Sequence, residues 1–134
     1  MHAAPHWTCE AFGCGVDLTS RELLEGMLLR AAELAGATVV ADATHAYHGG
    51  GLTIVVLCAE SHLLISTWPE ADYALVEVFL CGPNPRPKSA VDHMRETLQA
   101  KEWRVHQAAV NVPDAKHVQG SKELALEVPS PRGA

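Results

Sequence analysis

The chain has 134 residues, 48% of them hydrophobic and 19% charged, which is an ordinary globular balance and one domain's worth of length. Ten Lys and Arg against 16 Asp and Glu give a formal net charge of -6, which argues against nucleic acid or an anionic membrane as the main partner. The start of the chain has neither a basic stretch nor an apolar one of signal-peptide kind, and the longest apolar run, Leu52 to Ala59, is only strand length. A cytoplasmic location is expected, in which Cys9, Cys14, Cys58 and Cys81 stay reduced; no C-x-x-C pair suggests a zinc ribbon or a redox pair.

In chain order, His6 to Phe12 alternates as a strand that ends at the Gly13-Cys14-Gly15 turn. Thr19 with Glu22 three residues later offers a capping box for a helix. Leu23, Leu24, Met27, Leu28, Ala31 and Leu34 then recur at helical spacing up to a stop at Gly36. Ala37 to Ala43 reads as a short strand, and His45 to Gly51, ending in three glycines, as a mobile loop. Leu52 to Ala59 is apolar on both faces, as in a central strand. His62 to Thr67 is a further strand closed by Pro69, and Tyr73 to Cys81 alternates with Ala74, Val76 and Val78 on one face. A proline-rich connector follows, then a helix capped by Ser89 and running to about Ala100, with Val91, Met94, Thr97 and Leu98 facing inward. Trp103 to Val112 is the last strand, and the tail after Pro113 is expected to fray.

The order β-α-β-β-β-β-α-β, with tight links between consecutive strands, predicts an α+β two-layer sandwich. Its sheet is mainly antiparallel, with both helices on one face. Residues 1–134 are expected to form a single domain. Each half has one helix and about three strands, a loose echo of duplication.

The informative stretch is Ala59-Glu60-Ser61-His62-Leu63-Leu64-Ile65-Ser66-Thr67-Trp68-Pro69-Glu70. It resembles the prokaryotic S-adenosylmethionine decarboxylase family, whose pattern here is A-E-S-H-x-x-I-H-T-W-P-E. The likeness extends to Ala35-Gly36-Ala37-Thr38-Val39-Val40 before it and Val76-Glu77-Val78-Phe79-Leu80-Cys81-Gly82 after it, and spans roughly residues 6–110.

The resemblance implies a pyruvoyl-dependent enzyme that cuts itself between Glu60 and Ser61, giving a beta chain 1–60 and an alpha chain 61–134. Ser61 Oγ attacks the Glu60 carbonyl, the resulting ester eliminates to dehydroalanine, and hydrolysis leaves a pyruvoyl group. That step needs an oxyanion donor and a base. The group forms a Schiff base with the substrate amine and acts as electron sink, so neither pyridoxal phosphate nor a metal is implied. By the same resemblance Cys81 is the proton donor in decarboxylation, and Thr53 stands where a family serine assists processing. Tyr47 would stack on adenine, and Glu70 would bond the ribose hydroxyls. Without the family, each has a plainer reading: a buried small thiol, a β-forming Thr, a surface Tyr, a solvated turn Glu. Cys9 and Cys58 read as core. The implied activity yields decarboxylated S-adenosylmethionine, the aminopropyl donor for spermidine, in a homodimer whose site draws on both subunits.

His45, His48 and His62 near Cys58 raise a metal, but no third ligand has metal-site spacing. Gly49-Gly50-Gly51 has no Walker lysine and does not read as a phosphate cradle. The one departure from the pattern is Ser66, which occupies the position of the family's processing base, a histidine; a serine hydroxyl cannot take that role unassisted. His62, His45 or His48 would then supply the base, although on a flat strand His62 points away from Ser61. Otherwise processing stalls, or the site serves another substrate, such as ornithine or arginine. An uncleaved homologue that binds a ligand without catalysis is the remaining alternative.

Overall fold

The structure is a computed structural model, and it describes residues 2–113. The elements are β1 (His2–Phe12), α1 (Arg21–Leu34), β2 (Val39–Ala46), β3 (Leu52–Cys58), β4 (Ser61–Trp68), a 3-10 turn at Pro69–Ala71, β5 (Tyr73–Leu80), α2 (Pro87–Leu98) and β6 (Glu102–Val112). Their order is the one expected from the sequence, and so is the fold class. The six strands form one sheet in the order β2-β3-β4-β5-β1-β6, every neighbouring pair antiparallel. The frayed tail foreseen beyond Pro113 lies outside the described residues.

Period-two alternation decides which face of the sheet is covered. On the central strands Leu52, Ile54, Val56, Leu63, Ile65, Ala74, Val76 and Val78 are buried. They meet Leu24, Met27, Leu28 and Ala31 of α1 and Ala90, Val91, Met94 and Leu98 of α2 in one core. Each buried Leu, Ile, Val or Met among them contributes about 1.5–3 kcal/mol by leaving water, and each alanine less. The two helices also pack on each other. The residues between these positions point to the opposite face, which no element among the described residues covers. There Val55, Leu64, Leu75 and Phe79 stay half-buried and Leu57 is 49% exposed.

Element ends differ from expectation for local reasons. The cap of α1 is Ser20, whose Oγ accepts from the Leu23 N–H at 3.2 Å, because Thr19 is engaged by Asp17 instead. Ser89 does not cap α2. Pro87 sits in its first turn, where a missing N–H costs nothing, and Arg86 at the cap position makes no side-chain bond to the helix, its guanidinium donating instead to the Leu34 carbonyl at 3.4 Å. β2 runs on through His45 and Ala46, and Tyr47 and Gly51 close a hydrogen-bonded hairpin (Tyr47 N to Gly51 O, 2.8 Å) where a mobile loop was foreseen. Gly51 itself is required: a Cβ there would meet the Thr67 carbonyl oxygen at 2.7 Å. No helix among the described residues is long and apolar enough to cross a membrane.

Candidate active site

The turn from β3 into β4 is Ala59-Glu60, and it is held from three sides. The Ala59 N–H donates to the Thr38 carbonyl at 2.8 Å. The Thr38 N–H donates to Glu60 Oε1 at 2.9 Å, and the Thr38 hydroxyl reaches Oε2 at 3.4 Å. Across from it, just past the end of β5, the Cys81 N–H donates to the main-chain carbonyl oxygen of Glu60 at 2.9 Å. The carbonyl of the Glu60–Ser61 peptide is thus already polarised by a fixed donor.

Ser61 follows with φ 141°, a value L residues rarely adopt and which costs about 1–3 kcal/mol. This conformation overturns one expectation. On a flat strand His62 would face away from Ser61, but with Ser61 out of the extended region its Oγ lies 3.1 Å from His62 Nδ1. The His62 ring leans on Phe79, centroids 6.0 Å apart. The Cys81 side chain is partly exposed, and desolvation pushes its thiol pKa above the usual value, so it stays protonated at neutral pH.

A second cluster lies at the other end of β3 and β4. Register pairs His45 with Thr53, Thr53 with Ser66 and Ser66 with Leu75, one row across four strands. Thr53 Oγ1 is 2.8 Å from Ser66 Oγ and 3.0 Å from the Tyr47 hydroxyl, a continuous hydroxyl chain. His45 meets the Tyr47 ring edge-on, centroids 4.7 Å apart. The chain floors a cleft of about 300 Å³ whose walls include His48, Trp68 and Glu70. That is the lower end of the usual range for ligand sites. Buried Thr67 anchors this end, accepting from the Leu52 N–H and donating to the Leu18 carbonyl, both at 2.9 Å. Glu70 sits in the 3-10 turn and is exposed, 51% exposed Tyr47 facing the same cleft.

The site residues singled out from sequence therefore fall into two groups. Glu60, Ser61 and Cys81 are together; Tyr47, Thr53, Ser66 and Glu70 are together. Five residues of strand, about 17 Å, separate Ser61 from Ser66 along β4. Within one chain neither Thr53 nor Ser66 reaches the Glu60–Ser61 peptide. Thr38 and Trp68 were not singled out from the sequence, whereas His48, raised there as a metal ligand or substitute base, lines the cleft of the second cluster. Of the first two, only Trp68 carried a signal, through its place in the Thr67-Trp68-Pro69-Glu70 run. Among the described residues no three His, Cys, Asp or Glu side chains gather as a metal site.

Six antiparallel strands with two helices packed on one face define an α+β two-layer sandwich, and similarity to known proteins carries this to a family. The S-adenosylmethionine decarboxylase family model matches residues 5–109, and the chain belongs to that family. A protein of Caldicellulosiruptor saccharolyticus called S-adenosylmethionine decarboxylase proenzyme is 42% identical over 102 residues, covering 75% of this chain and 82% of that one. A protein of Aeropyrum pernix called arginine decarboxylase proenzyme is 41% identical over 90 residues, covering 66% and 68%. The crystal structure of the adenosylmethionine decarboxylase from Aquifex aeolicus superposes with a TM-score of 0.76 at 27% identity, covering 84% of this chain and 94% of that one.

Proposed function

We propose that the chain is a precursor that cuts itself between Glu60 and Ser61 and becomes a pyruvoyl-dependent decarboxylase of S-adenosylmethionine, making the aminopropyl donor for spermidine. The observation that carries this is the junction itself. In a chain of this family, Ser61 is held at φ 141° with the preceding carbonyl hydrogen-bonded to the Cys81 N–H at 2.9 Å. The products would be fragments 1–60 and 61–134 of a one-domain precursor. A pyruvoyl group at residue 61 would supply the electron sink for loss of carbon dioxide. The Cys81 thiol, kept protonated by desolvation, is suited to deliver a proton to the product carbon. The Tyr47 ring can stack on a purine or face a sulfonium, and the Glu70 carboxylate can accept from ribose hydroxyls.

The separation of the two clusters supports a homodimer. A site that uses both Ser61 and the Tyr47–Thr53–Ser66 row needs a second copy to bring them together. The uncovered sheet face, with Val55, Leu57, Leu64 and Phe79, offers the apolar surface for it. On this reading Thr53 and Ser66 act on the partner's Ser61 and not on their own.

Intact mass and denaturing electrophoresis of the purified protein test the cut: two fragments, one bearing a keto group trapped by a hydrazine reagent, are expected. A single intact chain with no keto group would mean an uncleaved homologue. A second reading, a decarboxylase of arginine or ornithine, draws support from the Aeropyrum pernix relative. Release of labelled carbon dioxide from the three substrates in parallel separates them.

A further inference from the structure

We propose that the first step of self-cleavage is run inside one protomer, with His62 as the base on Ser61 Oγ and the Cys81 main-chain N–H as the oxyanion donor. The inference rests on the self-cleavage reading above and assigns its machinery. The groups that chemistry needs are already set around one peptide bond. His62 Nδ1 is 3.1 Å from Ser61 Oγ, within reach for taking the hydroxyl proton. The Cys81 N–H is 2.9 Å from the oxygen on which negative charge develops. Thr38 fixes the Glu60 side chain through both carboxylate oxygens, so the acyl group cannot swing away while the bond is remade. Thr53 and Ser66 lie about 17 Å off along the strand and are unavailable to this step within the chain.

The step balances without an added reactant. Ser61 Oγ forms a bond to the Glu60 carbonyl carbon as its proton passes to His62 Nδ1, and the carbonyl π pair moves onto the oxygen held by Cys81. Collapse of that tetrahedral centre breaks the Glu60–Ser61 C–N bond. The proton on His62 goes to the departing Ser61 nitrogen, leaving an ester and a free amine. The strain at Ser61 is relieved in the same event, since the residue is no longer constrained by that peptide. Here the neighbouring histidine does for the hydroxyl what Ser66 cannot, and the replacement at 66 leaves the acyl shift untouched.

The experiment reads the ester directly. Full-length protein is quenched at intervals into neutral hydroxylamine, which cleaves an ester at residue 61 and not an amide, and fragment 1–60 is quantified by mass. The wild type is expected to give hydroxylamine-released fragment together with any spontaneously cut product. In His62→Ala both fall about 100-fold or more, the low end of what a positioned base supplies, and imidazole in the buffer restores part of the loss. His62→Gln, which keeps size and polarity, falls likewise while its thermal melt stays near the wild type's. His62→Ala or His62→Gln cutting at the wild-type rate would overturn the assignment and leave the self-cleavage reading standing. A wild type that is neither cut nor hydroxylamine-sensitive would overturn the self-cleavage reading, and this assignment with it.

Discussion

The backbone at Ser61 stores strain that can be measured without any catalysis. Ser61→Ala and Ser61→Gly both remove the hydroxyl and its contact with His62, so neither can cut, and they differ only in the backbone they offer. At φ 141° alanine bears the full cost of that conformation, about 1–3 kcal/mol, whereas glycine adopts it freely. Glycine in turn gives the unfolded chain more freedom, which costs about 0.4–1 kcal/mol. The difference leaves Ser61→Gly ahead by about 1.5 kcal/mol. For a domain of this size that is about 6 °C in Tm. Differential scanning calorimetry of the two uncut proteins at one pH and concentration reads it. An alanine variant as stable as the glycine variant, or more so, would refute the strain and remove ground-state destabilisation from any account of the cut.

Cys81→Ala separates that residue's two roles: the main-chain N–H is retained, so fragments still form, while carbon dioxide release falls about 100-fold or more for want of the proton donor. Because desolvation raises the Cys81 pKa, decarboxylation is expected to persist above pH 8.5, where a free thiol half-ionises, and to decline as pH climbs through the raised value; a pH–rate profile checks it. Cys9 is fully buried and its thiol pKa is pushed from about 9 up to about 11 by desolvation. The folded state therefore favours the protonated thiol. That stability is intact below about pH 9 and is lost as pH rises toward 11. The loss is roughly 2–3 kcal/mol in urea unfolding, and Cys9→Ala removes that share of the pH dependence, leaving the smaller part that Cys14, Cys58 and Cys81, also raised by desolvation, contribute. Light scattering of the purified protein should give twice the chain mass, and Leu57→Glu, on the uncovered sheet face, should shift it toward one; a wild type of single-chain mass would remove the second copy from the site.

Element order, sheet class and the covered face were legible because alternation and helical spacing report burial directly. Tyr73 to Leu80, buried at every second residue, is the plainest case. What escaped was conformation decided by contacts distant in sequence or by backbone angles. Thr38 bonds Glu60 from 22 residues away, and no local pattern announces that. The extension of β2 through His45 depends on its pairing with Thr53, so three glycines in a row suggested slack where a hairpin closes. The orientation of His62 was misjudged because a period-two rule presumes extended φ, and Ser61 does not have it. Identity of the junction could be read from Glu60-Ser61 and its neighbours; its geometry could not.

Ser66 is where the two views meet. Read along the chain, the loss of a histidine from the motif strikes at the cut, since Ser66 and Ser61 stand in one run of sequence. In space they belong to different clusters, and the hydroxyls of Ser66, Thr53 and Tyr47 bond to one another on the floor of a cleft, not to the junction. In the proposed dimer, a missing base at 66 would bear on a step that two copies perform together, the elimination after the ester has formed. If so, the defect has a signature: Ser66→His should speed appearance of the keto-bearing fragment while leaving the rate of hydroxylamine-sensitive ester formation unchanged. Acceleration of both alike would put residue 66 back at the acyl shift and would contradict the division of the site into two halves.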